Sequence, residues 1–186
     1  MFQNVKSIAM LLDLAALTYK GKRFINIVKS QLIEFVRTFD EEDLFYLYQP
    51  TVIDVLSNRG DQIGAIGNFD TDGYKIQDLN YAFKQTYYIL AAQDEDSKRV
   101  LCYLTNRFSQ DEVQPLKKLF NIPRTLSFED PCEFLVIALG DKCDIPLLQG
   151  VCDGHAKILE VEDPYTLNDK LQEFFPEDEC TLSILK

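Results

Sequence analysis

The chain has 186 residues, 46% of them apolar and 12% aromatic, which is typical of one globular domain with a sizeable core. Its 19 basic and 30 acidic residues give a formal net charge of -11, so phosphate backbones and anionic membrane surfaces repel it. We therefore expect no nucleic-acid and no membrane partner. The five cysteines are scattered without a C-x-x-C pair, which favours reduced thiols and a cytoplasmic location over a disulfide framework.

Residues 7–23, SIAMLLDLAALTYKGKR, begin with an apolar run that is interrupted at Asp13. A charge in the middle of the run disfavours a signal peptide, and no other stretch approaches the roughly 20 apolar residues that span a bilayer. The run instead predicts a strand buried on both faces of a parallel sheet, followed by a short loop. Because ligands bind at the carboxyl ends of such strands, Asp13 is a candidate site residue. The alternative is that Asp13 only caps the next turn.

The first half of the chain then predicts a helix and two short strands. Apolar residues at spacings of three and four predict an amphipathic helix over 24–39. Residues 44–48, LFYLY, predict a buried strand, and residues 51–56, TVIDVL, predict a strand that could pair antiparallel with it at the sheet edge. A polar, glycine-rich passage with a loosened backbone follows over 58–75. It contains Arg59-Gly60-Asp61, the tripeptide that integrins bind, for which a simple turn is the favoured interpretation.

The second half alternates helices and strands. The predicted elements are a helix over 76–90, a strand over 99–104, a helix through 120 that begins with a Ser109/Glu112 capping box, a connector bracketed by Pro123 and Pro131, a strand over 133–139, a helix over 145–152, a weak strand over 157–161, and a final helix from Asp163 and Pro164 through 174. The alternation predicts an α/β fold with a mostly parallel six-stranded sheet, one antiparallel edge strand and helices on both faces. We expect one domain over residues 1–176 and an acidic tail over 177–186.

A parallel sheet brings the carboxyl ends of its strands to one crevice. The polar residues expected there are Asp13, Asp70, Asp72, Lys75, Asn106, Arg107 and Asp141. Asp13 and Asn106, with a carboxylate from one of the loops, carry oxygen ligands of the kind that hard cations bind. Lys75 and Arg107 would compete with a cation by charge.

From residue 6 to about residue 175 the chain resembles the von Willebrand factor A (vWA) domain family. The resemblance rests on the order of elements, the antiparallel second and third strands, the apolar strand that ends in Leu104-Thr105-Asn106, and the late EFLVIALGD. The family's metal-ion-dependent adhesion site (MIDAS) combines D-x-S-x-S after the first strand, a Thr before the second long helix, and an Asp in a T-D-G at the fourth strand.

In this chain the first MIDAS motif reads Asp13-Leu14-Ala15-Ala16-Leu17, so the aspartate matches and apolar residues replace both serines. The Thr position falls near Gln77, and the third motif reads Thr105-Asn106-Arg107, with an amide in place of the carboxylate. Because two hydroxyls and a carboxylate are missing, the resemblance implies a degenerate site and no required metal. A weak magnesium or manganese site, if present, would use Asp13, Gln77 and Asn106.

The family implies a binding module rather than an enzyme. We therefore predict a non-enzymatic protein-interaction or scaffolding module, whose partner-binding face comprises Asp13, Lys20, Lys22, Asp72, Lys75, Asn106 and Arg107. Tyr81 and Tyr88 lie partly off the apolar stripe of their helix and are further contact candidates. The edge strand over 51–56 could also pair with a second copy of the chain.

Two alternatives remain open, a metal-dependent vWA binding domain and, more distantly, a hydrolytic α/β enzyme. A dehalogenase-like phosphatase would need a second aspartate at the position of Ala15. Cys152 and His155 have the spacing of a thiol and its base but no third member, and a core thiol with a surface imidazole is the favoured interpretation.

Overall fold

The computed structural model describes residues 5–15, 18–48, 59–69, 76, 78–93, 97–126 and 132–176, with backbone only for 123–126. The strands are β1 (Lys6–Asp13), β2 (Thr18–Tyr19), β3 (Lys22–Arg23), β4 (Leu44–Leu47), β5 (Lys98–Thr105), β6 (Glu133–Leu139) and β7 (Lys157–Val161). The helices are α1 (Phe24–Arg37), α2 (Arg59–Asn68), α3 (Leu79–Ala91), α4 (Gln110–Leu126), α5 (Ile145–Cys152) and α6 (Leu167–Phe174), the last preceded by a 3-10 turn over Pro164–Thr166. The predicted tail over 177–186 lies outside the described residues.

Five strands form one parallel sheet in the order β4-β1-β5-β6-β7. Its central strands are apolar on both faces, so helices must cover both sides. Alternate residues of β1 divide between two cores: Ile8, Met10 and Leu12 face α1, α2 and α6, whereas Ala9 and Leu11 face α3, α4 and α5. This arrangement confirms the predicted three-layer α/β sandwich. None of the described helices is both long and apolar enough to cross a membrane.

The predicted antiparallel edge strand over 51–56 lies outside the described residues, so the described sheet has five of the six expected strands. Its neighbour β4 pairs parallel with β1. Antiparallel pairing occurs elsewhere, in a small hairpin between β2 and β3 where only a loop was predicted. The hairpin turn is Lys20-Gly21, with φ of 48° and 78°. Positive φ at both central residues is the geometry of a type I′ turn, whose twist matches that of antiparallel strands.

The prediction of an irregular passage from residue 58 is wrong for 59–68, which form α2. This helix packs against α1 and β4, and Ile66 is fully buried. Arg59-Gly60-Asp61 forms the first turn of this helix and not the isolated turn that was predicted. The Arg59 guanidinium donates to the carbonyl of Phe39. The burial of one apolar side overrides the low helix propensity of the glycines.

Helix α4 begins with the predicted capping residues but runs further than predicted. The Ser109 N–H donates to Glu112 Oε2 at 2.9 Å, as in a capping box, while the Ser109 hydroxyl donates to the same oxygen at 2.7 Å. The prediction that a connector begins at Pro123 is wrong, because α4 continues to Leu126. A proline near a helix end forfeits a single backbone hydrogen bond, which a packed helix tolerates.

Candidate functional site

The carboxyl ends of β1, β5, β6 and β7, together with the β2–β3 hairpin, form what we call the crest. Asp13, the last residue of β1, lies opposite Thr105, the last residue of β5. Asn106 follows directly. The side chains of Asp13 and Asn106 are both buried, so the register of two parallel strands brings together the two predicted site residues on which the resemblance depends most.

Asp13 is held by a tyrosine of the neighbouring strand. The Tyr103 hydroxyl donates to Asp13 Oδ2 at 2.8 Å, and both side chains are buried. Burial raises the pKa of Tyr103 well above its usual value, and the Asp13 carboxylate raises it further. The phenol therefore stays protonated and remains a donor to the aspartate.

Asn106 holds the loop that follows β1. Its Oδ1 accepts the Ala15 N–H at 2.8 Å, and its Nδ2 donates to the Ala15 carbonyl at 3.4 Å. A carboxylate at this position could only accept, whereas an amide both accepts and donates. The turn beyond is closed by Thr105, whose hydroxyl donates to the Arg107 carbonyl at 2.8 Å and accepts the Arg107 N–H at 3.2 Å.

The described residues at this position do not fit a divalent cation. Of the predicted fallback ligands, Asp13 and Asn106 are described and Gln77 lies outside the described residues. Ala15 offers no hydroxyl. Nowhere in the described part of the chain do three or more His, Cys, Asp or Glu residues group so as to hold a metal ion. Hard cations take about six oxygen ligands, more than these side chains supply.

The predicted partner-binding face is divided by the fold. Lys20, Lys22 and Arg107 are exposed, while Asp13 and Asn106 lie buried beneath them. Lys20 and Asn106 line a common cleft. Asp72 and Lys75, the other two members of the predicted face, lie outside the described residues.

The cleft separates the β2–β3 hairpin from the loops that follow β6 and β7, and its volume is about 520 Å³. It is lined by Thr18, Tyr19, Lys20, Phe24, Asn106, Leu139, Gly140, Asp141, Lys142, Glu162 and Asp163. The sequence placed Asp141 at the crevice but missed Glu162 and Asp163. The sequence could have indicated Glu162 and Asp163, because they directly follow β7, whose carboxyl end lies at the same edge of the sheet.

Charged and aromatic groups are interleaved on the hairpin side of the cleft. Lys20 Nζ lies 3.7 Å from Asp163 Oδ2 and 4.9 Å from the centre of the Tyr19 ring. Lys22 Nζ lies 5.7 Å from the centre of the Tyr165 ring, and the two tyrosine rings are 6.2 Å apart. Contacts with Tyr19, and then the charge of Asp163, raise the pKa of Lys20, so its ammonium stays charged.

No protein-family model matches the chain, and no curated protein matches it in sequence. Solved structures do share its fold. A von Willebrand factor type A protein from Catenulispora acidiphila superposes with a TM-score of 0.68 at 12% identity, covering 91% of this chain and 42% of the other. Proximal thread matrix protein 1 of the mussel byssus superposes with a TM-score of 0.66 at 12% identity, covering 91% of this chain and 47% of the other. A second structure of that protein has a zinc-occupied MIDAS motif.

The match to the SpRpn10 VWA domain covers most of both chains, 91% of this chain and 95% of the other, with a TM-score of 0.58 and 13% identity. By contrast, the chain spans less than half the length of the mussel and Catenulispora proteins. Identities this low show the fold and nothing finer. Residues 5–176, as far as they are described, have the fold of von Willebrand factor A domains.

Proposed function

We propose that this chain is a vWA-type interaction module that binds a protein partner through its crest without a bridging metal ion. The observation that carries the proposal is the double hydrogen bond between Asn106 and Ala15. In the family a metal ion is bound at this place. Here a neutral amide joins the loop after β1 to the end of β5, so the crest is organised by groups of the chain itself.

The surface above that bond is suited to protein contact. Lys20, Lys22 and Arg107 are exposed on the crest, and Tyr165, which is 38% exposed, lies beside the hairpin. Arginine and tyrosine are enriched in protein interfaces. The vWA folds found among solved structures include a pilus adhesin, SpaC from Lactobacillus rhamnosus GG, which is consistent with a binding role.

The described residues give little support to the hydrolytic alternative. Burial raises the pKa of the Cys152 thiol to about 12, so it is not a thiolate near neutral pH. His155 is exposed and its ring stacks on Phe120, with 5.3 Å between the ring centres. We therefore propose a non-enzymatic protein. The scattered cysteines support the cytoplasm as the place where it acts.

Metal independence is tested by thermal unfolding with and without millimolar magnesium, manganese or calcium. An ion that binds only the native state must raise the melting temperature. We expect no shift for any of the three ions. A rise that disappears in Asp13→Ala would instead support the metal-dependent alternative.

The binding face is tested by affinity capture with three immobilised proteins, each in chelator and in magnesium. These are the wild type, a crest variant Lys22→Glu/Arg107→Glu, and a control Lys117→Glu/Lys118→Glu on α4 with the same change of charge. Proteins that the wild type and the control retain equally in both buffers, and that the crest variant loses, support the proposal. Equal retention by the wild type and both variants would contradict a crest interface. Retention only in magnesium would contradict metal independence.

A further inference from the structure

The cleft beside the hairpin already contains a cation, the ammonium group of Lys20. That group lies between the Asp163 carboxylate, 3.7 Å away, and the face of Tyr19, 4.9 Å away. A carboxylate beside an aromatic face is the combination that binds cationic side chains in proteins. The local chemistry is therefore that of a receptor for a basic group.

Lys20 is held there weakly. Its side chain is 66% exposed, and an exposed ion pair contributes little stability. Lysine at this position thus gains little from its own contacts, and a competing cation could displace it.

The rest of the cleft favours a positively charged occupant. Asp141, Glu162 and Asp163 supply three carboxylates, against the ammonium groups of Lys20 and Lys142. Displacement of Lys20 would leave this negative excess facing the cleft. The formal net charge of -11 for the whole chain also attracts basic partners.

The aromatic side of the cleft is fixed in place. Tyr19 packs edge-on against Phe24, with ring centres 5.8 Å apart, and lies 6.2 Å from Tyr165. A planar guanidinium can stack on such a ring while it binds a carboxylate through two N–H groups, which a lysine ammonium cannot do. This difference favours arginine over lysine as the incoming residue.

We infer that the cleft receives an arginine side chain of the protein partner, in the place that Lys20 occupies in the free protein. The inference rests on the proposed function and specifies the chemistry of the partner. It predicts that Lys20 opposes binding at the cleft, although it is one of the basic residues of the crest.

The test is a titration followed by the backbone amide resonances of the intact chain. The probe is N-acetyl-arginine amide, and its neutral analogue N-acetyl-citrulline amide is the control at matched ionic strength. We expect saturable shifts at Tyr19, Gly140 and Asp163 with the arginine compound only. Lys20→Gln should tighten binding about fivefold by removing a competing charge, whereas Asp141→Asn/Glu162→Gln should weaken it about fivefold.

The matched control for the double variant is Glu41→Gln/Glu42→Gln, which removes two exposed carboxylates from the turn before β4, at the opposite end of the sheet. Its affinity should equal that of the wild type. Equal shifts with arginine and citrulline compounds, or weaker binding by Lys20→Gln, would overturn the inference. If the crest variant Lys22→Glu/Arg107→Glu loses captured partners but the titration gives one of these contrary results, the proposed function still stands. Only the inference that an arginine side chain binds in the cleft is then overturned.

Discussion

Three side-chain hydrogen bonds hold the centre of the crest, one from Tyr103 to Asp13 and two between Asn106 and Ala15. The first joins β1 to β5, and the other two join the segments that directly follow these strands. Asp13, Tyr103 and Asn106 are buried, so their polar groups need such partners. Because Asn106 donates as well as accepts, replacing it with aspartate changes the site more than the similar shape of the two side chains suggests.

Asn106→Asp should lower the free energy of unfolding by about 1–3 kcal/mol, because the Ala15 carbonyl loses its donor and a second carboxylate is buried near Asp13. Urea unfolding in chelator measures the change. Asn80→Asp, on the exposed first turn of α3, is the control and should be nearly neutral, since a negative charge is favourable at a helix N-terminus. Stability equal to the wild type in Asn106→Asp would show that the amide donor is unimportant.

Asp13 and Asn106 could be placed from the sequence, because each follows directly on an apolar strand. Tyr103 could not, since a tyrosine inside RVLCYL has the pattern of an ordinary core residue. Its role depends on register: β1 and β5 pair so that Leu11 lies beside Tyr103 and Asp13 beside Thr105. Tertiary packing sets the register of two strands that are about 90 residues apart, and local sequence patterns do not contain it.

Among the elements, those with a clear stop signal were the predictable ones. Strand β6, helix α5 and strand β7 have the predicted bounds, because Gly, Asp or Pro follows each of them within three residues. The hairpin was missed because strands of two residues have no measurable periodicity. Helix α2 was missed because Gly64 and Gly67 resemble loop residues, although its buried positions follow helical spacing.

The hairpin turn makes a prediction about stability. Type I′ turns favour Asn-Gly, and this chain has Lys20-Gly21. Lys20→Asn should raise the free energy of unfolding by about 0.5 kcal/mol, because relief of about 1 kcal/mol of left-handed strain exceeds the small contribution of an exposed ion pair. Urea unfolding tests this, with Lys22→Asn in β3 as a control that should give no gain. A loss of stability in Lys20→Asn would mean that the contact with Asp163 outweighs the strain.

At the scale of the whole molecule, buried and half-buried thiols make stability depend on pH in the alkaline range. Burial raises the pKa of Cys132 and Cys143 to about 11 and that of Cys152 to about 12, from an ordinary value of 9.0. The unfolded chain therefore loses these protons first as the pH rises. The contribution of these thiols to stability should be fully present below about pH 9 and should fall between pH 9 and pH 12, by about 1.4 kcal/mol per pH unit for each thiol that is ionised in the unfolded chain only.

Urea unfolding between pH 8 and pH 10.5, in a reducing buffer, measures this slope. Cys152→Ala should reduce the dependence of the free energy of unfolding on pH by the contribution of one thiol. It should lower stability at pH 8 by only a small amount, because the change in side-chain volume is small. Tyr103, whose pKa is also raised by burial, adds to the slope only above pH 10. A slope unchanged by the cysteine substitution would contradict the assignment.

The hydrogen bonds between Asn106 and Ala15 also affect the conditions under which the proposed binding would occur. A carboxamide has no proton to lose or gain across the physiological range, and it needs no ion to complete its geometry. On the proposed function, the base of the crest is therefore assembled as soon as the chain has folded, whatever the calcium or magnesium concentration. The proposed partner binding would then depend on Lys20, Lys22 and Arg107, which are exposed and therefore open to competition and to screening by salt.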